Sequence, residues 1–306
     1  MDLAPIVLFV YNRPKHTLET LEALKSNEYS DKSILYIYAD GAKETALTDD
    51  IKNIQEVRSI IKSKKWCKEI IIIEQQDNFG LAKSIINGVT EIIDKHGKII
   101  VLEDDMVTSK YFLKYMNNSL NYYEIEKRIF HINGFNNQSN LQFVLDDYYM
   151  LNFMFCWGWG TWKDRWVKLD KDYKKHYDNL ISDENLLRKF NYGTRMNGHE
   201  QLAANINKKI KTWAILWNCT IFFNNGLCLT SKKSYVQNIG LDGSGENCGK
   251  DNFYDLKISD KIKPFTGNVK ILEKKRSRLH LKLFSEYGRN FKLYKFLYRT
   301  LKKQFK

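Results

Sequence analysis

The chain has 306 residues, 43% of them hydrophobic, and a formal net charge of +13, which suits one large α/β domain or two small ones with a substantial core. Cys67, Cys156, Cys219, Cys228 and Cys248 are scattered, odd in number and form no Cys-x-x-Cys, which argues against a disulfide framework or zinc site and for a reducing compartment. No stretch reaches the roughly 18 apolar residues of a membrane span, and Ile6 to Val10 is too short for a signal peptide, so a cytoplasmic chain that starts directly in its fold is expected.

Pro5 to Val10 reads as an apolar strand that ends in Tyr11-Asn12-Arg13-Pro14. Leu18, Leu21 and Leu24 then recur at helical spacing, and Pro14 is placed to open that helix. Ser33 to Ala39 is a second strand, ending in Asp40-Gly41. Thr48 is positioned to cap the next helix, with Asp49 and Asp50 in its first turn and Ile51, Ile54, Val57, Ile60 and Ile61 as its apolar stripe. Glu69 to Glu74 is a third strand, ending in Gln75-Gln76-Asp77-Asn78-Phe79-Gly80. Ile85, Ile86, Val89, Ile92 and Ile93 mark the third helix. The fourth strand starts at Lys98, is apolar enough to be buried on both faces, and stops in Glu103-Asp104-Asp105. Phe112, Tyr115, Met116 and Leu120 carry the helix after it.

Strands alternating with helices imply a doubly wound, mostly parallel sheet, and such sheets bind ligands beyond the carboxyl ends of their strands. All four ends here carry polar, turn-forming residues. Three adjacent carboxylates repel one another, and a divalent cation offsets that repulsion. Oxygen-only ligands point to magnesium or manganese rather than zinc. The plainer alternative is a charged loop after a strand. There is no Gly-x-Gly-x-x-Gly and no Gly-x-x-x-x-Gly-Lys-Ser/Thr, which speaks against a nicotinamide enzyme or a P-loop ATPase. A nucleotide held through a metal on acidic residues fits better.

The second half is less regular. Trp157, Trp159 and Trp162 sit among Gly158 and Gly160. They are either a platform for stacking sugar rings or a packing cluster beside a tight turn. Trp213 and Trp217, four apart, share a helical face that reads as core before site. Gln237 to Gly249 holds four glycines in ten residues and reads as a lid over a ligand or as a solvated linker. From Lys274 onward Lys and Arg interleave with Leu, Phe and Tyr. That is a basic amphipathic segment for an anionic membrane surface or, more plainly, a packed terminal helix; no nucleic-acid-binding motif accompanies it.

The order VYNRP, ADG, NFGLAKSIINGV and VLEDDMVTSKYFLKYM resembles the GT-A nucleotide-sugar glycosyltransferases over roughly residues 4–250. The stretch from Glu103 to Met116, followed by Ile132 to Asn137, is similar to the metal-site region of N-acetylglucosaminyltransferase I. FCWGWGTWK and VQNIGLDGSGENCG resemble bacterial surface-polysaccharide sugar transferases. The resemblance implies a GT-A, Rossmann-like sheet flanked by helices over 1–250, with a nucleotide and metal half at 1–130 and an acceptor half with lid at 131–250. The basic helical tail occupies 251–306. It implies that Asp105 ligates Mn2+ or Mg2+ bridging the donor phosphates, that Asp104 faces the ribose and Glu103 the donor sugar, and that Asp40 binds the base, with Arg13 and Asn78 near the nucleotide. It also implies a nucleotide-sugar donor, a saccharide or lipid-linked saccharide acceptor, and an inverting transfer.

The departure concerns the general base. The acetylglucosaminyltransferase keeps a catalytic Asp in Trp-Asp-Asp-Trp, whereas Trp213-Ala214-Ile215-Leu216-Trp217 has no acid. Glu200, just before a helix expected over Leu202 to Ile210, is the first candidate; Asp242 and Asp164 are the others. The rival readings are a sugar nucleotidyltransferase and a non-enzymatic membrane-surface module.

Overall fold

The structure, a computed structural model, describes residues 2–136, 146–192, 197–245, 258–262 and 275. The division at residue 250, the end of the glycine-rich loop at 246–249 and the basic tail, residues 258–262 and Lys275 apart, lie outside the described residues.

The first half alternates as expected: β1 (Ile6–Val10), α1 (Pro14–Lys25), β2 (Ile34–Ala39), α2 (Thr48–Lys62), β3 (Glu69–Glu74), α3 (Leu81–His96) and β4 (Lys98–Glu103). There follow β5 (Met106–Thr108), α4 (Phe112–Tyr122), β6 (Ile129–Asn133), β7 (Tyr148–Leu151), β8 (Trp159–Trp162) and α5 (Lys163–Trp166). The described elements close with α6 (Tyr173–Ile181), α7 (Glu184–Phe190), α8 (Gly198–Ile206), α9 (Ala214–Phe223), β9 (Leu227–Ser231) and β10 (Val236–Asn238). Eight strands form one sheet in the order β3-β2-β1-β4-β8-β6-β9-β7, and β10 pairs with β5 in a separate ribbon. β3, β2, β1 and β4 are mutually parallel. β8 runs antiparallel between β4 and β6, and β7 antiparallel to β9. The mixed, mostly parallel α/β class expected from the sequence is therefore the one present.

β1 and β4 are buried on both faces, because successive side chains point to opposite sides and helices cover each side. Ile6, Leu8, Val10, Ile100 and Leu102 face Leu21, Leu24, Val57 and Ile61 of α1 and α2, with Phe112 and Met116 of α4. Val7, Phe9, Ile99 and Val101 face Ile85, Val89, Ile92 and Ile93 of α3. Gly88 lets α3 approach, since a Cβ there would meet the Phe9 ring at 2.9 Å.

Two helix starts differ from expectation. Thr48 is the first residue of α2 rather than its cap, and Asp50 instead accepts from the Leu47 N–H at 3.2 Å and from Asn12 Nδ2 at 3.0 Å. α8 begins at Gly198 and ends at Ile206, before Lys208 turns into a left-handed φ of +58°.

The strand β6 carries a fully buried histidine. Trp217 Nε1 can only donate, so His131 Nδ1 accepts from it at 3.2 Å. The proton then sits on Nε2 and is donated to the Phe155 carbonyl at 3.2 Å. Burial pushes the His131 pKa down to about 3. Between 6.5 and about 3 the unfolded chain takes up a proton that the folded one refuses, so this stability is present above pH 6.5 and is lost as pH falls. The loss amounts to at most about 1.4 kcal/mol per pH unit. His131→Asn should flatten this dependence in urea unfolding between pH 6.5 and 5; an unchanged slope would assign the acid sensitivity to other groups.

Candidate active site

The carboxyl ends of β1, β2 and β4 and the turn after β3 converge on one cleft. Arg13, Asp40, Asn78, Glu103, Asp104 and Asp105 all line it, together with Tyr11, Lys43, Ser84, Ser244 and Gly245. Six of the nine residues singled out as donor, metal or catalytic groups are thus brought together by the parallel sheet.

The cleft is organised by its charges. Arg13 immediately precedes α1, where the Thr17 N–H bonds back to its carbonyl at 3.0 Å. Its Nε lies 3.3 Å from Asp104 Oδ2, its Nη2 bonds Asp104 Oδ1, and the same Nη2 bonds Asp105 Oδ2 at 2.8 Å. Thr20 of α1 donates to the Asp104 carbonyl at 2.8 Å, tying the helix to the acidic turn. Burial works against the Arg13 charge, but Asp104 and Asp105 outweigh it and hold the guanidinium pKa above its ordinary value. Burial, then Asp105 and Asp104, push the Glu103 carboxyl up to about 8, with Arg13 opposing. Burial and Asp104 also raise the Asp105 pKa, against Arg13.

Asp105 Oδ1 is buried and has no hydrogen-bond partner. A carboxylate oxygen left so is costly unless something charged meets it. Among the described residues no three Asp, Glu, His or Cys side chains converge to hold a metal by themselves. Magnesium and manganese do not need that: one or two carboxylates suffice when phosphate and water oxygens complete the shell. The orphaned Asp105 oxygen fits such an ion.

Asp40 and Asn78 build the opposite wall. Asp40 Oδ1 accepts from the N–H of Gly41 at 3.0 Å and of Phe79 at 2.8 Å, and its Oδ2 from Gly80 at 2.9 Å. Asn78 Nδ2 donates to the Gly41 carbonyl at 2.8 Å. A side chain at Gly41 would strike the Asp77 backbone, so the turn requires glycine there. Asp40 therefore first holds the turn that starts α3.

The glycine-rich segment closes over the acidic turn. Asn238 of β10 pairs with Met106 of β5, and the Ile239 N–H donates to the Asp105 carbonyl at 2.9 Å. Beyond it, Asp242 Oδ2 is 3.1 Å from His16 Nε2, and its Oδ1 accepts from the Ser244 N–H at 2.9 Å and hydroxyl at 2.6 Å. The two Ser244 bonds, with His16 adding a smaller effect, hold the Asp242 pKa down at about 2.

The remaining candidates lie elsewhere. Glu200 is exposed in the first turn of α8 and does not line the cleft. Asp164 pairs with Arg165 and with Lys127, each at 2.6 Å. Arg165 in turn donates to the carbonyls of Tyr123, Glu124 and Glu126, so Asp164 serves a structural cluster. Trp159 and Trp162 are buried on β8. Trp159 stacks on Trp213 at 5.1 Å and His131 at 5.3 Å, and Trp162 Nε1 donates to the Leu120 carbonyl at 3.0 Å. They are the packing cluster, and the sugar-stacking alternative falls for both. Trp213 and Trp217 are core.

Two cleft residues, Lys43 and Ser84, and His16 beside Asp242 were not singled out from the sequence. Lys43 had a signal in its position just past the Asp40-Gly41 strand end. Ser84 had none, being one more residue of an amphipathic helix; its buried hydroxyl has no partner. His16 likewise looks like an ordinary first-turn residue, and only the fold pairs it with Asp242.

The chain matches no protein family and no curated protein. Among solved structures it is similar to S. aureus TarS 1–349, at 9% identity and a TM-score of 0.39, over 76% of this chain and 59% of that one. It is similar to the galactosyltransferase LgtC in complex with donor and acceptor sugar analogues, at 9% identity and 0.37, over 71% and 70%. A third is a cytidylyltransferase from Leptospira borgpetersenii serovar Hardjo-bovis, at 13% identity and 0.31, over 56% and 64%. The chain spans less than two thirds of the TarS and cytidylyltransferase chains. Scores of this size carry no functional weight. What the fold and cleft define is the class: a mixed α/β sheet with an acidic cleft at the carboxyl ends of its parallel strands.

Proposed function

We propose that the chain is a metal-dependent, inverting GT-A glycosyltransferase. It moves a hexosyl or N-acetylhexosaminyl group from a UDP-sugar to a saccharide or lipid-linked saccharide acceptor in bacterial surface glycan assembly. The observation that supports this is the orphaned Asp105 oxygen inside a cleft that also holds Arg13, Asp40, Asn78, Glu103 and Asp104. Mn2+ or Mg2+ on Asp105 would supply charge stabilisation for the departing diphosphate. Arg13 offers the same product a two-pronged donor. Glu103, whose carboxyl burial and the neighbouring carboxylates push up, can in its protonated form donate a hydrogen bond to a donor-sugar hydroxyl while Asp104 accepts from the ribose. The wall held by Asp40 and Asn78 stands beside the base. No helix among the described residues is long and apolar enough to cross a membrane. A cytoplasmic enzyme held at the inner membrane face by its basic tail is part of the proposal.

The test is a thermal-shift series of nucleoside diphosphates with manganese or magnesium. A ligand bound only to the folded state at a hundred times its Kd adds about 2.7 kcal/mol. A UDP shift that requires the metal supports the reading, and no metal-dependent shift with any nucleotide overturns it.

For the base, position now favours Asp242. It is ionised at neutral pH and flanks the cleft, although a carboxylate held that low is a weak base. Asp242→Asn should lower transfer about a hundredfold. Glu200→Gln, on an exposed helix start, should change it by no more than about twofold. The reverse pattern would restore Glu200 as the base.

A further inference from the structure

We propose that Arg13 is the resident counter-cation of the acidic turn, competing with the divalent metal for Asp104 and Asp105 and released to the diphosphate when the donor binds. This rests on the nucleotide-sugar reading above and adds to it how that site is switched. One guanidinium spans both carboxylates, with Nη2 on each of them and Nε on Asp104. Only Oδ2 of Asp105 is satisfied in this way; Oδ1 is buried with no partner. The cluster is therefore half neutralised by the chain itself.

A doubly charged ion on Oδ1 would sit within a few ångströms of the guanidinium and be repelled by it. Gly240 lies so close that a Cβ on it would strike Arg13 Nη1 and Asp105 Oδ2, so the lid backbone rests on the pair and crowds that side of it. Departure of the guanidinium relieves the repulsion that an ion on Oδ1 would meet. Arg13 heads α1 and lines the same cleft, and a diphosphate is a natural partner for its planar fork. Metal and diphosphate should then bind weakly alone and strongly together, because each completes the exchange the other begins. Free metal is kept from occupying the site before the donor arrives.

The test measures Mn2+ binding by titration calorimetry and by electron paramagnetic resonance, without nucleotide and with UDP. Wild type, Arg13→Gln and Arg13→Lys are compared. Arg13→Gln should bind Mn2+ alone at least about tenfold tighter than wild type. UDP should raise the wild-type Mn2+ affinity at least about fivefold, and Arg13→Gln should lose most of that coupling. Arg13→Lys, whose single ammonium cannot span both carboxylates, should fall between them and carries the test if Arg13→Gln does not fold. Variants that bind Mn2+ no tighter than wild type, or a wild type whose Mn2+ affinity is indifferent to UDP, would overturn the competition. If Mn2+ tightens in the variants while UDP never binds, the competition stands and the donor reading falls. If Mn2+ binds no protein under any condition, both fall.

Discussion

Asp105→Asn should remove manganese-dependent UDP binding and lower sugar transfer by about a thousandfold or more, with the fold intact. The substitution keeps the shape of the side chain but discards the charge on the one buried carboxylate oxygen that lacks a partner. The fold should survive because the backbone of residue 105 is held by the Ile239 N–H and by the adjoining ribbon of β5 and β10. The melting temperature without ligand should be no lower than wild type, since burial and Asp104 already disfavour the ionised Asp105. Asp104→Asn and Glu103→Gln should spare metal binding more, since the proposed arrangement turns them toward the donor. Calorimetry with UDP and Mn2+ beside circular-dichroism melting separates these outcomes. Unchanged manganese-dependent affinity in Asp105→Asn would remove the metal assignment.

Trp159→Ala should destabilise the protein by about 3–5 kcal/mol, a large share of the roughly 5–15 kcal/mol that holds a typical domain. Trp159 is fully buried on β8, opposite Val101 of β4 and Asn133 of β6. Its ring packs on Trp213, His131 and Trp166, and it joins Val101 in the same apolar cluster. Truncation opens a cavity behind the strand that presents the acidic turn, so metal and nucleotide binding should weaken as a consequence of unfolding. Urea denaturation is the measurement. A sugar platform would behave oppositely, with near-normal stability and a raised KM for one substrate, and that result would reverse the assignment of Trp159 to the core.

The legible part of this protein was local. Apolar runs place β1 to β4 within a residue or so of where they lie, with β3 matching at both ends, and the helical stripes fall inside α1 to α3. These strands are continuous apolar segments bounded by turn residues, and their periods survive packing. β8 was not legible as a strand, because four residues rich in Trp and Gly carry no clean alternation and their antiparallel partners lie far off in the chain. Ambiguity over the tryptophans had the same origin: an indole suits a core and a sugar face equally, and only its neighbours decide. Glu200 was attractive because it lies just upstream of Trp213 in the chain, yet α8 leaves it exposed and off the cleft.

By itself, then, the sequence determined the class of sheet and the end of it where the polar cleft gathers. Hydrophobic period sets the strands, and polar residues at four successive carboxyl ends mark the ligand side. Only the tertiary structure decided how those ends divide the work. It spends both oxygens of Asp40 on backbone N–H groups, sets Arg13 across two carboxylates 91 and 92 residues away, and lays Gly240 on top of them. It also leaves one oxygen of Asp105 without a partner. Each is a matter of distance between residues remote in the chain, where composition and period hold no information and packing alone chooses the neighbour.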